Sequence, residues 1–226
     1  MKAGMNRLAC ALGAAVLLCS SLPACVGPLL VGGAMLGGAI VATDRRTSGA
    51  QLDDEAIELR VSNQIHNNFG TRVRVNVTSY NRKVLLTGEV PNLQDRQRVE
   101  ELVDAVENVN AVVNDLAVIN SPSLLERSAD TLITGRVKAA LLDTKDLQSS
   151  AFKVVTERST TYLMGRVTQR ESDRAAEVVR STSGVKKVVR VFDIISEQEL
   201  ARLQSSGANA QPAVLQPAVP AASSAN

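Results

Sequence analysis

The sequence predicts an α+β fold built from two tandem copies of one αββαβ module. Each copy would hold a three-stranded mixed sheet covered on one face by two helices. Three observations carry this expectation. Ile57, Val61 and Ile65 recur at i, i+4, i+8, and seventy-six residues later Ile133, Val137 and Leu141 repeat the stripe. Each stripe is followed by two β-like runs, of which the first alternates Val73, Val75, Val77. The second run ends alike in both copies, as Leu86-Thr87-Gly88-Glu89-Val90 and as Leu163-Met164-Gly165-Arg166-Val167.

In the first copy the strands are expected over 72–79 and 83–90, turning at Tyr80-Asn81-Arg82. In the second they are expected over 152–157 and 160–167, turning at Arg158-Ser159. A second helix follows, with Val99, Leu102, Val103 and Val106 matched by Ala175, Val178, Val179 and the less apolar Thr182. Valine-led strands over 109–118 and 185–194 close the two units. Gly88 and Gly165 stand where a strand runs out, which predicts a bulge, a positive φ or a close backbone approach. Two units of this size hold small cores, so they are expected to pack on one another or on a partner.

The N-terminal region is of another kind. Lys2 and Arg7 precede an apolar run over 8–18 that ends in Cys19, Ser20 and Ser21, the pattern of a secretory signal too short to span a bilayer. Leu22-Pro23-Ala24-Cys25 resembles the lipobox of bacterial lipoproteins. That resemblance implies cleavage before Cys25 and acyl chains on its sulfur and amine. Residues 26–42 are uncharged and glycine-rich, and read either as an interfacial segment or as a flexible apolar tether. The expected divisions are a lipoprotein signal peptide over 1–24, a lipidated tether over 25–51 and a first unit over 52–120. A linker over 121–127, a second unit over 128–196 and a disordered Ala/Pro/Ser-rich tail over 197–226 follow.

Composition excludes several functions. Net charge is +2 for the chain, and the mature part is balanced once Lys2 and Arg7 leave, so phosphate-driven nucleic-acid binding is not expected. There is no Trp to build a base-stacking platform. Cys10 and Cys19 leave with the signal, and an acylated Cys25 leaves no thiol for a disulfide or a metal. His66 is the only histidine and lies among Asn63, Gln64, Asn67 and Asn68, so it is expected in solvent and not in a metal set. No serine sits in a nucleophile elbow. Neither an enzyme nor a cofactor is expected.

The Leu-x-Gly-x-Val strand ends between amphipathic helices, followed by Val109-Asn110-Ala111-Val112-Val113 and Val185-Lys186-Lys187-Val188-Val189, resemble the BON domain. Two such copies behind a lipobox are similar to the outer-membrane lipoproteins of that family. The resemblance implies a periplasm-facing protein anchored in the outer membrane, without catalysis, that binds anionic phospholipid of the phosphatidylglycerol type through its second copy and supports envelope integrity. The alternative is an adaptor that recruits an envelope protein partner, with lipid only as its anchor.

Charge bears on that choice. From 53 to 119 there are eleven acids and seven bases, and from 128 to 196 eight acids and twelve bases. The second copy is therefore the one suited to an anionic surface, although such a split also fits solvated faces or mutual attraction of the copies. With Ile133, Val137 and Leu141 facing the core, Leu132, Gly135, Arg136 and Ala139 lie round the helix, with Lys138 and Leu142 toward its flanks. Apolar residues at both ends and cations between suit shallow interfacial insertion. The rival reading has Leu132 and Leu142 packed against the first copy.

Overall fold

The computed structural model describes residues 44–119 and 124–209, so Cys25, the apolar segment 26–42 and the last seventeen residues lie outside the described part. The first copy runs α1 (Ser48–Phe69), β1 (Arg74–Tyr80), β2 (Lys83–Val90), α2 (Leu93–Asp104), β3 (Ala111–Asn114) and β4 (Ala117–Val118). The second runs α3 (Leu124–Asp143), a short 3-10 turn (Ser149–Ala151), β5 (Lys153–Glu157), β6 (Thr160–Thr168), α4 (Gln169–Arg180) and β7 (Lys187–Ile195), and α5 (Glu197–Asn209) follows it.

Both sheets are mixed, as expected. β2 pairs antiparallel with β1 and parallel with β3 and β4. β6 pairs antiparallel with β5 and parallel with β7 over nine residues. The last strand of the first copy is split because Leu116 turns inward and is buried in that copy's core. Its amide then bonds the Asn114 side chain at 3.1 Å in place of a neighbouring strand.

The helix stripes predicted from spacing turn inward in both copies. Ile57, Val61 and Ile65 pack with Val84, Leu86, Val99 and Val103, while Ile133, Val137 and Leu141 pack with Leu163, Val167, Ala175 and Val179. Strand alternation sends the intervening residues to the opposite face. There Tyr80 and Leu85 of the first sheet meet Tyr162, Met164 and Val191 of the second in a third core. The copies therefore pack sheet to sheet, giving helix, sheet, sheet and helix layers, and each small core gains the other's sheet as cover.

Polar pairs ring this contact. Arg74 bonds Glu157, Arg158 bonds Glu89 at 3.1 Å, Lys83 bonds Asp193 at 2.6 Å, and Lys153 bonds Glu58 at 2.8 Å. Tyr162 donates to Asp115 at 2.6 Å. Burial, with the Asp115 bond behind it, raises that phenol well above its ordinary pKa. Each copy gives two acids and two bases to these four ion pairs, so the contact leaves the opposite net charges of the two copies on their outer surfaces.

Each hairpin turns on two residues with positive φ, Asn81 and Arg82 at 52° and 64°, and Arg158 and Ser159 at 50° and 57°. Such a two-residue turn matches strand twist but is unfavourable without glycine. One buried carboxylate per copy offsets this. Asp54 accepts from the amides of Asn81 and Arg82, both at 2.7 Å. Asp130 accepts from those of Arg158 and Ser159 at 2.7 and 2.8 Å. The two glycines answer to close approach. A Cβ on Gly88 would lie 2.1 Å from the Arg74 carbonyl oxygen, and one on Gly165 would lie 2.3 Å from that of Ala151.

Three expected boundaries differ. The linker read through residue 51 is ordered from Asp44. Thr47 caps α1 by accepting from the Ala50 amide at 3.1 Å, and Arg45 is 7 % exposed. The linker read to residue 127 yields to α3 at Leu124. The tail read as disordered from 197 begins instead with α5. Ser196 caps it, Glu199 pairs with Arg166 at 2.6 Å, and Leu200 is buried. One well-placed leucine and two ion pairs, Glu199 with Arg166 and Glu197 with Arg170, secure this helix, too little periodicity to mark it in the sequence.

The candidate functional site, an outer face of the second copy

The stripe that buries Ile133, Val137 and Leu141 fixes the rotation of α3 and turns the opposite side outward. Leu132, Gly135, Arg136, Lys138, Ala139 and Leu142 are all exposed. Leu132 is 63 % and Leu142 72 % exposed, so neither packs against the first copy. The rival reading of these two leucines is thereby corrected: the copies meet through their sheets, and the helices lie on the far sides. Asp130, six residues before Arg136, is buried at the hairpin and does not face solvent with the cations. Cys25 lies outside the described residues.

Cations outnumber acids on this face. Among the described residues Arg136 reaches the Ser183 carbonyl, at 3.4 Å, and neither it nor Lys138 has a carboxylate within ion-pair distance. Of the other acids of the second copy, Asp146 and Glu177 pair with Arg174 and Asp173 with Arg190, while Asp143, seven residues beyond Arg136 on α3, is exposed on the same side. The result is two free cations between two exposed leucines on a rigid helix, a surface that can accept anionic groups at a water–apolar boundary. Among the described residues no group of His, Cys, Asp and Glu is placed to hold a metal ion, and no helix is long and apolar enough to cross a membrane. His66 is exposed on α1.

Sequence reasoning missed a second feature, a strap formed by Asp44, Arg45 and Arg46. Arg45 places both terminal nitrogens on the Glu171 carboxylate at 2.7 and 2.8 Å, and donates to the Arg166 carbonyl at 2.9 Å. Burial opposes the charge on Glu171, but Arg45 and the Thr168 amide hold its carboxyl below the ordinary value. Arg46 turns the other way, to Asp54 of the first copy at 2.7 Å, with its guanidinium 4.3 Å from the Tyr80 ring centre. Burial, then the Asp44 carboxylate, push the Tyr80 phenol up to about 12. Adjacent residues of one strap thus hold both copies. The basic pair was visible in the sequence, but its partners lie 126 and 8 residues away, and nothing local marks the longer pairing.

Two mixed α/β modules packed sheet to sheet, the second with an exposed cationic helix face, are the frame in which the family is recognised. The chain belongs to the BON domain family, whose model matches residues 53–120 and 129–196. It is similar to the outer membrane lipoprotein DolP of Haemophilus influenzae, 38 % identical over 190 residues covering 83 % of this chain and 95 % of the relative. A 21 kDa hemolysin of Actinobacillus pleuropneumoniae is 32 % identical over 67 % of this chain and 79 % of its own length. The osmotically-inducible protein Y of Escherichia coli is 30 % identical over 62 % and 72 % respectively.

Proposed function

We propose that this chain is a non-enzymatic outer-membrane lipoprotein, anchored by acyl chains on Cys25 and facing the periplasm. Its second BON domain docks on anionic phospholipid of the phosphatidylglycerol type through the outer face of α3. Through that contact it supports envelope integrity. The observation that carries the reading is the pairing of exposed Leu132 and Leu142 with the free Arg136 and Lys138 on one helix face. Similarity to an outer membrane lipoprotein over most of both chains supports the location.

The roles divide by chemistry. Leu132, Gly135, Ala139 and Leu142 supply a shallow apolar strip, and small residues at its centre let the helix approach the headgroups closely. Arg136 and Lys138 meet lipid phosphates, each basic residue contributing about 1 kcal/mol near such a surface. A tethered domain meets the membrane at high effective concentration, so this modest attraction suffices to orient it.

Vesicle flotation of residues 44–209, free of acyl chains, tests the reading. Binding to phosphatidylglycerol vesicles, weakened by salt, absent on neutral vesicles and lost in Leu132→Asp with Arg136→Glu, is the expected result. Indifference of the folded fragment to lipid charge would sink it and turn attention to an envelope protein partner.

A further inference from the structure

The internal repeat lets each surface be compared with its counterpart, and one comparison separates the copies sharply. In both, an arginine of the first helix donates to a carbonyl in the loop after the second helix: Arg60 to Glu107 at 3.2 Å, Arg136 to Ser183 at 3.4 Å. In both, the next loop residue has a positive φ, Asn108 at 70° and Gly184 at 98°. In both, the loop is pinned to the hairpin turn by an amide bond of 2.8 Å, Asn110 to the Arg82 carbonyl and Lys186 to that of Ser159. The scaffold is the same, but its charge is not. Where the first copy carries Asp104, Glu107, Asn110 and Ala111, the second carries Arg180, Ser183, Lys186 and Lys187.

Arg180, Lys186 and Lys187 are exposed and have no carboxylate within ion-pair distance among the described residues. The loop adjoins the outer face of α3. A Cβ on Gly184 would lie 2.7 Å from Ile133 Cγ1 and 3.7 Å from the Arg136 guanidinium. The amides of Ser183 and Gly184 donate to no described protein acceptor. Arg136 therefore stands between Leu132 on its own helix and a loop that offers two lysines, an arginine and two free amides. Successive amides at a turn with positive φ favour an anion.

We propose that the loop from Arg180 to Lys187 is the second wall of the lipid-docking surface, receiving phospholipid phosphate between Arg136 and the Lys186–Lys187 edge. This rests on the reading that the second domain docks on anionic lipid. The occupant is a membrane surface and not a free phosphate, because the exposed Leu132 adjoins the cations and the site is open on its outer side. The acids at 104 and 107 make the matching loop of the first copy repel the same surface, which limits docking to the second.

The experiment uses the intact acylated protein anchored in vesicles, with amide hydrogen exchange read separately over α3 and over residues 180–187. Phosphatidylglycerol-containing and neutral vesicles are compared, the latter also with added inorganic phosphate. The test variant is Lys186→Asn with Lys187→Ala, the residues of the first copy, and Lys186→Gln with Lys187→Gln is a second. Both sites are exposed, and unchanged exchange in the sheets verifies folding. Slowed exchange of both segments on anionic vesicles is expected in the unaltered protein, with the docking equilibrium constant read from it reduced about 30-fold by either variant, two cations at roughly 1 kcal/mol each. Undiminished slowing in both variants would overturn the second wall while leaving docking by α3 intact. No slowing in the unaltered protein would overturn both readings. Slowing on neutral vesicles with inorganic phosphate would also overturn the proposal, assigning the site to a free anion.

Discussion

Replacing Arg45 by Ala should destabilise the two-domain body far more than removal of an ordinary surface arginine. The Arg45 and Glu171 side chains are 5 % and 4 % exposed. Without Arg45 the carboxylate keeps only the 2.9 Å bond from the Thr168 amide, and the Arg166 carbonyl loses its donor. Removing one partner of a buried pair typically costs about 3–5 kcal/mol. Removing the Arg45 side chain itself opens space through which water can reach the freed carboxylate, so the lower value of about 3 kcal/mol is expected. For a body of this size that lowers the melting temperature by about 6–12 °C.

Urea unfolding of residues 40–209 followed by circular dichroism would measure the loss, with Glu171→Gln and the double variant completing a cycle. A coupling of at least about 1.5 kcal/mol is expected. Arg174→Ala, at an exposed i,i+3 pair with Glu177, should leave stability nearly unchanged. The pH dependence follows from Glu171, whose folded pKa is held below 4.5. Its stabilising contribution is therefore present above the unfolded value and is lost as pH falls through the folded one. Arg45→Ala should flatten that acid limb. A loss under about 1 kcal/mol, or no coupling in the cycle, would refute the strap as a structural clasp.

Other substitutions test other parts of the fold. Gly165→Ala places a methyl against the Ala151 carbonyl and should cost about 1–3 kcal/mol by thermal melting, since backbone and not a flexible side chain must move. Asp54→Asn should weaken the β1–β2 turn. Burial opposes ionisation of Asp54, but bonds from Arg82, Ser79, Arg46 and Asn81 hold its pKa below 3.8, so the difference from wild type should shrink as pH falls below that value. Ending the chain at residue 196 should expose the surface under Leu200, free Arg166 from Glu199, and lower the melting temperature by several degrees, about 1–2 kcal/mol.

Much of the fold was legible because it is written locally. The helical stripes around Ile57 and Ile133 and the alternation through Val75 and Val77 state which faces turn inward whatever they meet. The repeat then ties the two readings together, so that one copy checks the other. The candidate helix face was legible for the same reason. Once Ile133, Val137 and Leu141 are buried, Leu132 and Arg136 must point elsewhere. The loop cations were present in the sequence but could not be assigned to that face, because the α4–β7 loop reaches Arg136 only after the chain has folded back on α3.

The sequence by itself determined the duplication, the element order, the inward stripes and the charge asymmetry, since each depends on residues within a few turns or on simple counting. Tertiary structure alone decided what lay beyond the helix-covered face of each sheet. Leu85, Tyr162 and Met164 read as apolar residues on a second strand face, and burial of that face is equally satisfied by another copy, a partner or the same chain. Their meeting in one core, like the grip of Arg45 on Glu171, joins residues far apart in the chain. Such pairings arise from shape and charge complementarity across folded surfaces, which no local period encodes.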